Sequence, residues 1–366
     1  MTTMFDCIIV GAGPAGGAAA YHLAKRGHSV LVVEKDAWPR QKPCGGGVSP
    51  AIAKWFDFDL TPAISTTVEK IRYTWKLGDP VETEIVKPMW MVRRDIFDQY
   101  LMQQAVDQGA KLQTQTEVTG IKFKGSSWQV STNAEPLEAK YLIAADGAKG
   151  PMAKWLGLKQ STLRQSMVAE FPSSPGQIPS FEFGMVKNGS IWGFPKADSY
   201  SISIATFRGG ESKDLNKDLI QYASKLGMTT YNSISEHPLC LWDGDKTLHT
   251  QNALLAGDAA SLADPLSAEG IRPSILSGVK AAEAIDQALG GASNALEKYT
   301  QVMQQEWGAD MAWAGRLAGL FYRFPGIAYK AGVKVPVATQ LISKILCGEM
   351  RYADVVDKAM KSLSPF

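Results

Sequence analysis

Residues Gly11-Ala12-Gly13-Pro14-Ala15-Gly16 form a GxGxxG loop directly after the apolar run Phe5-Asp6-Cys7-Ile8-Ile9-Val10 and directly before an Ala-rich segment reaching Arg26. Ser29-Val30-Leu31-Val32-Val33-Glu34 then adds a second β-branched run. Strand, glycine loop, helix and strand in this order constrain the chain more than any other feature. The two runs are nearly continuous in hydrophobicity, as parallel strands covered on both faces require. Gly11, Gly13 and Gly16 permit a tight turn, close approach of backbone to a pyrophosphate, and packing of helix on strand, while the helix N-terminus offers free N–H groups. Pro14 suits the first helical turn, where its missing N–H costs nothing. Glu34 ends the second strand 18 residues after Gly16. A carboxylate there accepts both ribose hydroxyls of an adenosine and disfavours a 2′-phosphate. The loop therefore predicts a dinucleotide site, and one that does not hold NADP.

Two later segments choose the dinucleotide. Leu254-Leu255-Ala256-Gly257-Asp258 is a strand running into Gly-Asp, and a carboxylate at a strand's C-terminal edge can take the hydroxyls of a ribityl linker, which nicotinamide dinucleotides lack. Glu269-Gly270-Ile271-Arg272-Pro273 then opens a helix whose N-terminal amides can stabilise negative charge on a reduced flavin. FAD is the expected cofactor.

The chain has 366 residues, which at roughly 100–200 residues per domain suggests two domains or one with a large insertion. Hydrophobic residues make up 45% and charged residues 20%, so the chain is globular. A net charge of +2 provides no field to gather nucleic acid, and none is expected as a partner. Cys7, Cys44, Cys240 and Cys347 lack the spacing of a metal or disulfide framework, so no metal is expected and a reducing, cytoplasmic location fits. The four histidines are scattered and suggest no catalytic role. Alternating segments after Pro50 and from Ser166 to Leu241 read as antiparallel strands, a helix is expected over Asp95 to Gln108, and the stretch beyond Asp258 is mostly helical. The expected class is α/β: a Rossmann-like FAD-binding domain over 1–70, 91–155 and 250–300, an inserted antiparallel β-rich substrate domain over 71–90 and 156–249, and a helical C-terminal region over 301–366.

The Gly11 to Gly16 fingerprint, Asp146-Gly147 and Gly257-Asp258 together resemble the FAD-binding fold shared by aromatic hydroxylases and their relatives. Lys42-Pro43-Cys44-Gly45-Gly46-Gly47, Met91-Val92-Arg93-Arg94-Asp95-Ile96-Phe97-Asp98, Trp192-Gly193-Phe194-Pro195-Lys196 and Gly348-Glu349-Met350-Arg351-Tyr352 narrow the resemblance to the geranylgeranyl reductase family. It covers nearly the whole chain, and the Cys-Gly-Gly-Gly loop is its most specific mark. The resemblance implies FAD contacts at Ala15, Glu34, Cys44, Gly45, Gly47, Arg94, Val118, Asp258, Gly270 and Ile271, with Val118 using main chain only, and adds Asp146 to the fingerprint. It also implies that Trp192, Phe194 and Pro195 line an apolar substrate slot. Two positions depart from the pattern: Ser190 stands where an aromatic residue is usual, and Ala268 where a glycine precedes Glu269-Gly270.

The activity so implied is reduction of C=C bonds in a geranylgeranyl or related prenyl group by hydride from flavin N5. The chain has no second GxGxxG, so the reductant is either NADPH without a domain of its own or a small carrier such as reduced ferredoxin. Cys44, the candidate catalytic residue, has three readings: a thiol filling a glycine turn, one shaping the pocket over the flavin, or a proton relay. The alternatives to the reductase are a flavin monooxygenase of the aromatic-hydroxylase type and a non-catalytic electron-transfer flavoprotein. Met311 to Lys361 holds eight Lys/Arg against three acids, interspersed with Trp313, Phe321, Tyr322, Phe324 and Tyr329. That pattern fits a solvated basic face over packed aromatics, or a peripheral contact with anionic lipid.

Overall fold

Strand β1 (Met4–Val10) runs through the glycine loop into α1 (Pro14–Lys25) and returns as the parallel strand β2 (Val30–Val33) in a computed structural model that describes residues 4–160, 162–172, 176–209 and 214–363. The chain then leaves this sheet for β3 (Gly47–Val48), β4 (Thr66–Trp75) and β5 (Gly78–Met91) and comes back through α2 (Arg94–Asp107), close to the expected helix. Strands β6 (Lys111–Gln113), β7 (Val118–Lys124), β8 (Ser127–Thr132) and β9 (Leu137–Ala144) follow, then the short α3 (Met152–Trp155). A second excursion supplies β10 (Ser166–Pro172), β11 (Ser180–Phe183), β12 (Gly189–Pro195), β13 (Ser199–Thr206), α4 (Leu215–Lys225) and β14 (Ser233–Glu236). The chain closes with β15 (His249–Thr250), β16 (Ala253–Leu255), the long α5 (Ile271–Leu289), α6 (Ala295–Met303), α7 (Ala309–Arg323), α8 (Pro325–Ala328), α9 (Pro336–Leu346) and α10 (Tyr352–Leu363).

The first sheet has the order β15-β16-β9-β1-β2-β6, with β7 and β8 attached to β9. Ile8 pairs with Leu31 on one side and Leu142 on the other, both in parallel register, and all three are buried. This is why β1 and β2 lack alternation: their side chains are buried on both faces, and on one of them α1 packs closely on α5 and α2. Gly278 of α5 makes that approach possible, since a Cβ there would stand 2.2 Å from the Ala15 carbonyl oxygen.

The second sheet has the order β14-β10-β13-β12-β11-β4-β5-β3 and is antiparallel except where β11 runs alongside β4. Its period-2 pattern sorts the side chains. Ile191, Ile202 and Ile204 pack on Leu215 and Leu219 of α4, whereas Trp192, Phe194, Ala205 and Phe207 face the first sheet and the C-terminal helices. The strand ends of the first sheet and this inner face of the second enclose the site. Among the described residues no helix is long and apolar enough to cross a membrane.

Candidate active site

The three glycines of the first loop answer to different neighbours. A Cβ on Gly11, which has φ +101°, would stand 2.4 Å from the Ala145 carbonyl oxygen, and one on Gly16 would stand 1.9 Å from that of Gly11. Packing alone excludes a side chain at both. At Gly13 the nearest atoms would be the guanidinium tips of Arg40 and Arg94, at 3.5 and 3.9 Å. No protein atom crowds this position, so the backbone there is open between two cations, a setting that suits an anionic group.

Glu34, Arg40, Arg94 and Asp98 form a buried charge network around this loop. Glu34 Oε2 accepts the Ala12 N–H at 3.0 Å and pairs with Arg40 Nε at 3.2 Å. Arg40 Nη2 reaches Asp98 at 3.0 Å, and Arg94 holds the same carboxylate through Nε and Nη2 at 2.8 and 2.7 Å. Burial pulls the Arg94 pKa down, but Asp98 outweighs it and the net shift is upward. Arg40 Nε is buried and lacks a hydrogen bond of good geometry. Two guanidinium groups at the N-terminus of α1 thus suit an anion such as the FAD pyrophosphate. Arg40 and Asp98 were missed by the sequence reading, although Arg94 and Asp98 stand at i,i+4 on the expected helix.

The second half of the site comes from the chain after β16. Asp258 sits in a 3-10 turn, Gly257–Ala260, with its carboxylate 3.7 Å from Lys42 Nζ. Burial and the Arg94 charge lower the Lys42 pKa, and Asp258 opposes them. Gly270 is the N-cap of α5, and a Cβ on it would meet nothing nearer than 3.7 Å. Like Gly13 it leaves room for a group outside the protein. Ala268, the departure from the family pattern, adopts φ +61°, so it keeps the left-handed backbone a glycine would take and bears its strain.

The Cys-Gly-Gly-Gly loop faces β12. A Cβ on Gly45 would stand 2.9 Å from the Phe194 ring and 3.0 Å from the Trp192 indole nitrogen, and one on Gly47 would stand 2.9 Å from Phe194. Gly46 has φ +83°. Two motifs more than 140 residues apart are therefore one packed unit. Lys196, the residue after Pro195, is buried, pairs with Glu170 at 2.8 Å and donates to the Cys44 carbonyl at 3.4 Å. The Cys44 side chain lies at the Arg94 guanidinium.

These residues line a cavity. Cys44, Gly45, Gly47, Arg94, Trp192, Phe194, Asp258, Gly270 and Ile271 all border it. His237 borders it as well; burial, with Lys42 next in effect, pushes its imidazole down to about 4, so it stands neutral at pH 7. The sequence offered no signal for it, a lone histidine after a short strand. Eight expected residues lie off the cavity lining: Gly11, Gly13, Gly16 and Glu34 of the first loop and its charge network, and Ala15, Val118, Asp146 and Pro195. The Ala15 carbonyl supports the packing of α1 on α5, Val118 is in the core of the first sheet, and Pro195 is buried at the end of β12. Asp146 accepts the Met152 N–H at 2.9 Å, and burial raises its carboxyl to about 6.

A second cavity adjoins the first, sharing Phe181, Trp192, Ser267 and Leu346. Its remaining wall is mostly Tyr73, Phe183, Phe207, Phe321, Tyr322, Val333, Ile342 and Ile345. Ser190 borders it too, and the small side chain there admits Tyr322, which hydrogen-bonds it and stacks on Phe207 at 4.9 Å between ring centroids. A chamber bearing Lys42, Arg94, Asp258 and Glu269 thus shares a wall with an aromatic and aliphatic one.

Residues 4–174 match the family model described as FAD binding domain. A protein of Methanosarcina barkeri is 32% identical over 295 residues, spanning 78% of this chain and 75% of that one. A digeranylgeranylglycerophospholipid reductase of Methanocaldococcus jannaschii is 26% identical over 318 residues, covering 79% and 78%. The chain belongs to the geranylgeranyl reductase family of FAD-dependent oxidoreductases. This family member is an enzyme whose cofactor is FAD. A menaquinone reductase of Mycobacterium tuberculosis is 28% identical over 352 residues, covering 87% and 84%. Among solved structures, a geranylgeranyl bacteriochlorophyll reductase-like protein of Thermoplasma acidophilum superposes with a TM-score of 0.79 at 22% identity over 87% of this chain and 88% of that one. A flavin-dependent brominase superposes with a TM-score of 0.75 at 19% identity over 94% of each chain, so the fold itself is common to other flavin chemistries.

Proposed function

We propose that this enzyme saturates C=C bonds in a geranylgeranyl or related prenyl group. The observation that carries the reading is the apolar second cavity joined to the flavin-side chamber through Trp192 and Phe181. A prenyl chain offers no hydrogen-bonding groups along its length, so it is recognised by burial, at about 0.8 kcal/mol per CH₂. An enzyme that only relayed electrons would need no such slot. The digeranylgeranylglycerophospholipid reductases among its relatives bear names that fit this substrate class.

FAD, when bound and reduced, would supply hydride chemistry at N5 for one alkene carbon, and the other carbon would take its proton from an acid or water. The chain's residues set the conditions for that transfer. Arg40, Arg94 and the α1 N-terminus hold the pyrophosphate, Glu34 accepts the adenosine ribose hydroxyls, and Asp258 accepts from the ribityl chain. The amides at Gly270 and Ile271 stabilise negative charge on the reduced ring. Trp192 and Phe194 keep water from the alkene, and Cys44 shapes its approach. FAD is held by 1–70, 91–155 and 250–300, and 71–90 with 156–249 covers the substrate. Flavin reduction falls to NADPH or a carrier such as ferredoxin.

The test is anaerobic photoreduction of the holoenzyme followed by addition of geranylgeranyl-bearing lipids. Reoxidation without oxygen, with product mass rising by two hydrogens per bond, is the expected result. Reoxidation only in air, with oxygen incorporated into a phenol, would establish the monooxygenase alternative instead.

A further inference from the structure

The C-terminal helices form a wall with two apolar faces. Phe321 and Tyr322 of α7, Val333, and Ile345 and Leu346 of α9 look inward and line the second cavity. The outward face is also apolar. Leu320, Phe324 and Ile327 stand at i, i+4 and i+7 and are 61%, 47% and 70% exposed, and Val335 and Val337 continue the patch, Val337 at 66%. Single exposed hydrophobics are ordinary, but five within eighteen residues concentrate exposed apolar surface on this one segment.

The charge carried by this segment itself has one sign. From Met311 to Gly348 the sequence holds no Asp or Glu, yet it holds Arg316, Arg323, Lys330, Lys334 and Lys344. Arg323 and Lys330 are exposed within the patch, and Arg323 lies over the Phe324 ring. Lys334 is tied to Asp79 in the β4–β5 turn, so the neighbouring hairpin contributes an acid that is already paired. An apolar strip rimmed by unopposed cations matches the boundary between anionic headgroups and acyl chains. The expected aromatic contacts are redistributed: Tyr322 and Tyr329 are buried, and the exposed face is aliphatic with Phe324.

We propose that residues 320–337 dock on an anionic lipid bilayer, placing the wall of the apolar cavity against the membrane that holds the prenyl chains. The surface itself is independent of the chemistry, but its purpose rests on the reading of the second cavity as a prenyl slot. Docking spares the chain from crossing water: its apolar length passes from acyl chains to the aromatic slot across a single helical layer.

The FAD-loaded protein is sedimented with vesicles free of any prenyl lipid, either pure phosphatidylcholine or phosphatidylcholine with about one third phosphatidylglycerol. The protein is expected to pellet with the anionic vesicles and to be released by salt, since a Debye length shrinks from ~10 Å at 0.1 M to ~3 Å at 1 M. The Ile327→Asp, Val337→Asp double variant should lose about tenfold or more of the pelleted fraction, because two exposed aliphatic side chains that would enter the lipid are replaced by charges repelled by it. Both positions are exposed, and flavin content and circular dichroism report whether the variant is folded. Pelleting of wild type and double variant to equal extent overturns the proposal, as does failure of wild type to pellet. So does a wild-type dimer in gel filtration that the double variant converts to monomer without any vesicle binding, because the patch then belongs to a second copy. Vesicle binding by a protein that reduces no prenyl lipid would leave this surface standing while removing the proposed reaction.

Discussion

A methyl group on Gly45 would stand 3.0 Å from the indole nitrogen of Trp192. The flavin-side loop and the substrate-side strand are thus in contact with no space for a side chain between them. Gly45→Ala must push back the indole or the Phe194 ring, which the same methyl would meet at 2.9 Å. Overpacking of this kind costs about 1–3 kcal/mol. Both the melting temperature and the rate of prenyl reduction should fall, whereas a substitution that only filled empty space would leave both unchanged.

Cys44→Ala should act differently. The backbone of the glycine loop still approaches the cofactor, and Lys196 still reaches the residue 44 carbonyl. Turnover with prenyl lipid is expected to drop more than FAD affinity does, since the side chain bears on the alkene's approach. Titration of the apoprotein with FAD and steady-state kinetics separate the two. Wild-type turnover in the variant would leave the thiol as space-filling in a glycine turn.

Glu34→Ala removes the proposed acceptor for the adenosine hydroxyls and at the same time the partner of the Ala12 N–H and of Arg40. Each charge-assisted bond is worth about 1.5–3 kcal/mol. FAD affinity should fall by at least about tenfold, read by flavin fluorescence on dilution. Equal retention by wild type and variant would remove Glu34 from the site.

At Ala268 the left-handed φ of +61° costs an alanine about 1–2 kcal/mol, against the roughly 0.5–1 kcal/mol by which glycine's extra freedom favours the unfolded chain. Ala268→Gly should therefore leave the holoenzyme's melting temperature unchanged or slightly raised, and Ala268→Val should lower it. A marked loss of stability in the glycine variant would contradict the strain at this position.

His22 supplies a pH signature away from the flavin. Burial, reinforced by Arg26, pushes its imidazole from 6.5 down to about 4, and its ring stacks on Phe56 at 5.8 Å. Between pH 6.5 and about 4 the unfolded chain takes up a proton that the folded one refuses, so stability falls with pH across that window. His22→Phe keeps an aromatic ring beside Phe56 and removes the proton, and should flatten that part of the stability profile in urea titrations. An unchanged slope would exclude His22 as its source.

Local order in the sequence was enough to reveal the phosphate loop, the acid at Glu34, the Gly-Asp turn at Asp258 and the helix opening at Gly270. Each is written within a few residues, where one strand end and one helix start dictate the chemistry. The alternation of β12 and β13 likewise disclosed a half-buried sheet, because period-2 side chains sort themselves between two faces whatever the partner strand. Tertiary structure alone decided which faces meet. Arg40 joins Glu34 to Asp98, which lies 58 residues beyond Arg40, Trp192 closes on Gly45, and His237 comes to the first cavity, all through contacts between segments whose separation leaves no periodic trace. It also placed Asp146 in a turn that precedes α3. The C-terminal region shows the division most plainly. Its basic and aromatic composition was legible, but whether a given ring lined a cavity or faced outward depended on how α7 and α9 rotate against the second sheet, and that rotation is set by packing at long range.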